Sequence, residues 1–351
     1  MEKMKTRTEI LTLNLSDPFG VAPYTRLKKQ VALLTLCDGG EIYYGEASPS
    51  RYYNESLTSV KTAFQKVKAL LKEEEFFYIE PLMDKIYKKI PRDNAARAMI
   101  EMALFDYIGK KTGLPLYKYL GLKPPENQQT SFTIGIDTIE KMLLKVDAAK
   151  QYPILKIKLG RDAKHDVQVM KEIRKRTDRA LRVDANGGWS LEDAVKCIKI
   201  LADLGVEYVE QPLSRGALKK LGELKKKSPL PIYVDEDAHR SDTFRHLPQV
   251  CHGVNIKLIK TGGILEARRM VANARAFGLK TMLGCMLETS VAITAAAHIG
   301  SLFDSLDLDG NLLISNDPFD GVKVKNGFLC MPDRPGLGVL PRDKPIRGKN
   351  P

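Results

Sequence analysis

Lysines and carboxylates stand at matched points of short apolar runs in this chain. Lys156 and Lys158 close ILKIK, Asp184 closes LRVD, Glu210 closes VEYVE, Asp235 follows PIYV, Lys257 closes GVNIK, and Asp307 and Asp309 fall in LDLDG. Three acids at one mouth repel one another unless a cation sits among them, and all-oxygen ligands favour a hard ion, Mg²⁺ over Zn²⁺. Asp184, Glu210 and Asp235 are therefore candidate metal ligands, although each alone would serve equally as a helix N-cap. A neutral lysine amine is a good base, but its reference pKa of about 10.4 is too high for work near pH 7. Residues two apart in a strand share a face, and a like charge nearby lowers an amine's pKa. Lys156 is thus expected to hold Lys158 partly deprotonated. Lys257 is the second acid/base candidate, able to serve the opposite face of a carbon. Taken singly, each of these lysines reads as a solvated strand end.

The elements that would position these groups recur with a regular rhythm. From about residue 130, apolar or β-branched runs alternate with helical patterns such as SLEDAVKCIKILADLG, which Ser190 should cap and Gly205 should stop. A strand and a helix roughly every 25 residues is a repeating βα unit. Eight strand candidates predict a (β/α)8-type barrel, whose active sites lie at the C-terminal strand ends. The alternative, an open doubly wound sheet, usually carries a glycine-rich phosphate turn after an early strand; KTGG at 260–263 is too short and too late. Before the barrel, TEILTLNL, QVALLTLCDG and EIYYGEAS read as antiparallel strands, with a turn at Asp38-Gly39-Gly40. The helical pattern NAARAMIEMALFDYIGKKTG follows and closes at Gly113.

Composition bounds the rest. The 351 residues are 43% hydrophobic, enough for a sizeable core. No run of about 18 apolar residues appears, so no membrane span is expected, and the basic N-terminus lacks the apolar stretch of a signal peptide. Five scattered cysteines without CxxC spacing fit a reducing cytoplasm rather than a disulfide framework or a zinc site. The net charge of +13 invites nucleic acid as a partner. The lysines, however, lie on wet helix faces such as ALKKLGELKKKSP, opposite Leu218, Leu221 and Leu224, and no nucleic-acid partner is expected.

LKIKLG, RVDANGGW, VEQP, VDED and NIKLIKTGG together resemble the muconate-lactonizing-enzyme subgroup of the enolase superfamily, over nearly the whole chain. The resemblance implies an α/β fold: a modified TIM barrel, (β/α)7β, with an α+β capping domain. The cap would comprise residues 1–125, the barrel 126–315, and the tail 316–351 would complete the cap. It implies one Mg²⁺ per subunit on Asp184, Glu210 and Asp235, with Lys158 and Lys257 as the acid/base pair and Lys156 assisting. The substrate carboxylate would meet the metal, and the α-proton would move from one lysine to the other through an enediolate. VDEDAH departs from the usual A-D-E-S, and Asp237, in place of the serine, is not expected to be a ligand. Asp307-x-Asp309 resembles the feature by which dipeptide epimerases hold a dipeptide's α-ammonium, and the alternative for these two acids is an Asp-Gly turn. A dipeptide epimerase acting on the C-terminal residue is therefore expected, with an acylamino-acid racemase or succinylbenzoate synthase as the rival. A silent metal- and ligand-binding barrel is a further alternative. Thr133, on the first barrel strand, joins the expected substrate contacts. Specificity should lie in the capping loops DPFGVAPYTRLKK and SPSRYYNES: Tyr24 stands where Ala-Glu epimerases carry an arginine, Arg26 or Arg51 could meet an acidic side chain, and Tyr24, Tyr52 and Tyr53 an apolar or aromatic one. The family also implies a homo-oligomer.

Overall fold

A computed structural model describes residues 4–21 and 24–343, less the side chains of Val21, Tyr24 and Glu73. Eight parallel strands form one sheet in chain order: β4 Phe132–Ile134, β5 Ile154–Lys158, β6 Ala180–Asp184, β7 Val206–Glu210, β8 Ile232–Val234, β9 Gly253–Lys257, β10 Lys280–Gly284 and β11 Ser305–Asp307. A parallel bridge between Thr130 and Leu306 brings the first strand edge to the last, so the sheet closes into a barrel. Leu155, Ile157, Leu181, Val183, Val209 and Val254 are all buried. Strands covered on both sides read as apolar runs for this reason.

The helices between the strands follow their caps. Ser190 accepts the Asp193 amide at 3.1 Å and starts the helix Leu191–Asp203. The chain then leaves through Gly205 at φ 69°. Leu221 and Leu224 are buried under the lysine-rich helix Leu218–Lys227, so those lysines are a solvated face.

Three antiparallel strands precede the barrel, β1 Lys5–Val21, β2 Tyr24–Asp38 and β3 Glu41–Ala47. Gly39 and Gly40, at φ 57° and 86°, make the β2–β3 turn. The helix Asn94–Thr112 packs on β3 so closely that a Cβ at Gly45 would stand 1.8 Å from the Met99 carbonyl oxygen. The stretch expected as the first capping loop is instead the paired end of the β1–β2 hairpin, with one register irregularity between Asn14 and Phe19. Main-chain pairing continues past the last apolar alternation, so the strand pattern in the side chains stops before the strands do. This hairpin tip leans on the barrel: the Ile136 amide donates to the Gly20 carbonyl at 2.9 Å, and the Ser16 amide to Leu313 at 3.0 Å. The chain beyond the barrel returns to the N-terminal part, where the Leu337 amide donates to Asp106 at 2.8 Å and the Leu116 amide to Gly336 at 2.9 Å.

Candidate active site

Strand register sets the charged residues at one level of the barrel. Lys158 pairs with Asp184, Asp184 with Glu210, and Gly284 stands between Lys257 and Asp307. Gly284 matters because a Cβ there would fall 2.4 Å from the Asn255 side-chain oxygen. Lys156, Lys158, Asp184, Glu210, Asp235, Lys257, Lys260, Asp307 and Asp309 are all buried.

Each ammonium rests on a carboxylate. Lys158 Nζ lies 2.6 Å from Asp184, and Lys257 Nζ lies 2.7 Å from Asp235. Lys156 Nζ meets Glu210 at 2.6 Å, Asp307 at 2.7 Å and Asp184 at 3.3 Å. Burial disfavours the Lys156 charge, but Asp307, Glu210 and Asp184 outweigh it and hold this group well above the ordinary lysine range. The like-charge expectation counts the two lysines alone, whereas the closed barrel sets Asp184 against both, 3.3 Å from Lys156 and 2.6 Å from Lys158. Burial likewise opposes ionisation of Asp235, and Lys257 and Lys260 overcome it.

Lys260 has no counterpart in the sequence reading. Its Nζ donates to Asp235 Oδ1, to the Asp235 carbonyl and to the Asn255 carbonyl, each at 2.6 Å. The signal was present in NIKLIKTGG: one helical turn, Leu258–Thr261, carries residue 260 back beneath residue 257. Asp237, the residue departing from the A-D-E-S pattern, accepts from Gly216 N at 2.7 Å and Gln211 Nε2 at 2.8 Å. Gln211 Oε1 in turn accepts the Asp235 amide at 2.9 Å. Gln211 and Asn186, which follow the acids on β7 and β6, both take left-handed backbone at φ 38° and 43°. Such strain, costing about 1 kcal/mol or more, clusters where function over-determines the backbone.

Among the described residues, no three acid, histidine or cysteine side chains stand preassembled as a cation cluster. Lysine ammoniums lie on the edges of these acids instead. The donor set nevertheless suits a hard divalent ion: three buried carboxylates on successive strands, with Glu210 Oε1 fixed by Asn255 Nδ2 at 2.7 Å. Glu210 Oε2 accepts no hydrogen bond, Lys156 approaching it outside hydrogen-bond geometry.

The two last-strand acids diverge. Asp307 ends β11, pairs with Lys156 and also accepts from Ser131 Oγ at 2.5 Å. Asp309 lies beyond the strand and accepts the Thr133 amide at 2.6 Å. It has no ion pair among the described residues, and burial, then the Asp307 charge, push it up to about 6. Lys156, Lys158, Lys257, Asp307, Asp309 and Thr133 all open on one cavity of about 140 Å³. From the N-terminal part, Phe19, Arg26, Lys29, Tyr52 and Tyr53 close it. Lys29, which the sequence reading passed over, donates to the Pro49 carbonyl at 2.7 Å, and burial brings it down to about 8. Arg51 opens on a neighbouring groove instead, and the Tyr24 side chain lies outside the described residues.

The sequence profile described as "Mandelate racemase / muconate lactonizing enzyme, N-terminal domain" matches residues 4–121, and "Enolase C-terminal domain-like" matches 140–344. The chain belongs to the enolase superfamily. Among relatives in that superfamily, an L-Ala-D/L-Glu epimerase of Bacteroides thetaiotaomicron is 39% identical, over 96% of this chain and 88% of that protein. The structure of a dipeptide epimerase from Enterococcus faecalis V583, complexed with Mg and L-Leu-L-Tyr, is 31% identical with a TM-score of 0.91, covering 96% of this chain and 99% of that one. The structure of an N-succinyl Arg/Lys racemase from Bacillus cereus ATCC 14579 is 27% identical, also with a TM-score of 0.91, covering 97% and 96%. None of the described helices is long and apolar enough to cross a membrane.

Proposed function

We propose that this chain is a dipeptide epimerase that inverts the α-carbon of the C-terminal residue by proton transfer between Lys158 and Lys257. The observation that carries this reading is their placement. They end β5 and β9, four strands apart in an eight-stranded barrel and so on opposite sides of it, yet both open on one cavity. A carbon acid held between them presents one face to each amine. Lys158 takes the proton from one face, Lys257 delivers a proton to the other, and the reverse reaction exchanges the roles. The activity of the Bacteroides relative and the dipeptide in the Enterococcus structure support this reading.

Asp184, Glu210 and Asp235 would hold Mg²⁺, which would polarise the substrate carboxylate and make the α-proton removable. The ion in the Enterococcus structure supports that assignment. Lys156 would remain as the ammonium that keeps Asp307 and Glu210 in place. The dipeptide's own ammonium fits Asp309, which like Glu236 lines the cavity without an ion pair among the described residues, with Asp307 beside it. Arg26 and Lys29, which also line this cavity, favour a carboxylate as the side chain at the inverted residue, an Ala-Glu type of dipeptide. Tyr52 and Tyr53 would supply its apolar contacts.

A dipeptide library incubated in D₂O with Mg²⁺ tests the proposal. Deuterium should enter the C-terminal α-position, fastest for acidic side chains. Asp309→Asn should remove most of that activity, and Asp307→Asn should weaken it. The likeness to the succinyl-amino-acid racemase favours one rival, an acylamino-acid racemase. If N-succinyl amino acids exchange faster than any dipeptide and Asp309→Asn leaves them untouched, that rival holds.

A further inference from the structure

Away from the mouth, the seam between the helix Asn94–Thr112 and the barrel holds a second group of cations, differently satisfied. Arg97 on that helix is only 3% exposed. Its guanidinium lies over the Tyr87 ring, 4.6 Å from the centroid, and against Gly262, where a Cβ would come within 3.2 Å of Nε. Nε and Nη2 have no hydrogen-bond partner. Arg240, in the loop after β8, lies over the same ring, also at 4.6 Å. Both arginines line a cavity of about 170 Å³, room for several waters or one small polyatomic ion.

The two buried acids of this cavity are otherwise engaged. Glu101 accepts the Leu265 amide at 3.0 Å, and burial pushes it up to about 8. Glu266 accepts both the amide and the hydroxyl of Ser241 at 2.8 Å. Arg269 pairs with Glu80 at 3.0 Å and with Glu266 at 3.5 Å. Asp84 lies exposed at the rim. Two like charges thus share one aromatic ring, and one of them leaves buried donors unsatisfied. An unmet buried donor costs about 1–3 kcal/mol, more when it is charged, and calls for a bound water or ion.

We propose that this cavity is an anion site, separate from the substrate mouth, that takes a small tetrahedral oxyanion of the phosphate class between Arg97 and Arg240. The guanidinium fork matches paired oxyanion oxygens. The anion would tie the helix Asn94–Thr112 to the loop that begins at Asp235. Gly262, against which Arg97 rests, lies two residues past Lys260, so occupancy would also brace the turn that supports Asp235.

Titration with inorganic phosphate at constant ionic strength, against chloride, tests this by melting temperature and calorimetry. Saturable binding at millimolar phosphate is expected. It should weaken at least tenfold in Arg240→Gln and in Arg97→Lys, which keeps the charge but loses the fork, and persist in Lys29→Gln at the mouth. Three outcomes would overturn the site: no saturable binding, equal binding in Arg240→Gln, or loss of binding in Lys29→Gln. Acetate binding as tightly as phosphate would overturn the ligand class. Should Arg97→Lys fail to fold, Arg240→Gln at its half-buried position decides alone.

Discussion

The barrel mouth and the seam both bury cations, by opposite means. At the mouth each of four ammoniums touches a carboxylate within 2.7 Å. At the seam Arg97 has an aromatic ring and unsatisfied donors. A buried pair is held as a unit, and removing one partner strands the other at about 3–5 kcal/mol. Displacing an ammonium at the mouth therefore needs a replacement cation, which a divalent ion and a substrate ammonium would supply. At the seam Glu101 and Glu266 are held by other donors, and the proposed anion would be the partner of Arg97.

The largest effect that would break this contrast lies with the two lysines proposed to exchange the α-proton. Lys158→Met and Lys257→Met should each lower epimerisation by about 10³-fold, the range of a lost general acid/base. Each variant should still exchange the α-proton of one epimer in D₂O, and a different epimer in each case, as seen by NMR. Equal exchange of both epimers in either variant would remove the two-sided reading.

A third kind of buried group, neutral instead of charged, tests the stability side. His298 is fully buried, accepts the Tyr117 amide at 3.1 Å on Nδ1 and faces the Leu337 carbonyl at 3.0 Å through Nε2. Burial lowers it to about 4 from the model-compound value of 6.5. The unfolded chain thus takes up the proton first. The neutral ring's contribution is complete above pH 6.5 and is lost as pH falls toward 4, by up to about 3 kcal/mol. In His298→Gln the difference in unfolding free energy from wild type should shrink across that window. A difference independent of pH would contradict the assignment.

Lys260 sharpens the mouth itself. Lys260→Met should weaken Mg²⁺ binding about tenfold by calorimetry, since outer supports of metal ligands typically matter by that factor or more. Unchanged affinity would leave Lys260 a packing residue. The smallest effect belongs to a site with no buried charge: Ser190→Ala should cost about 1 kcal/mol in chemical unfolding with activity unaltered.

Much of this was legible because periodicity and strand-end chemistry are local. The βα rhythm, the Ser190 cap, the Gly113 and Gly205 stops and the alignment of Asp184, Glu210 and Asp235 each depend on residues within one turn or one strand. The body of the β1–β2 hairpin is legible as strands, but its tip reads as a capping loop because main-chain pairing outlasts the side-chain pattern there. Lys29 and Lys260 were passed over because a lysine's role depends on what faces it.

What the sequence determined alone is the barrel, the lysine and acid set on its strand ends, and the superfamily, since these follow from strand spacing and residue type. Only closure of the barrel decided which charges meet. Lys156 joins Asp307 across 151 residues, while Asp309 has no ion pair among the described residues, and the helix Asn94–Thr112 carries Arg97 to Gly262. Electrostatic energy depends on distance through space and on burial, and neither is written in the spacing along a chain.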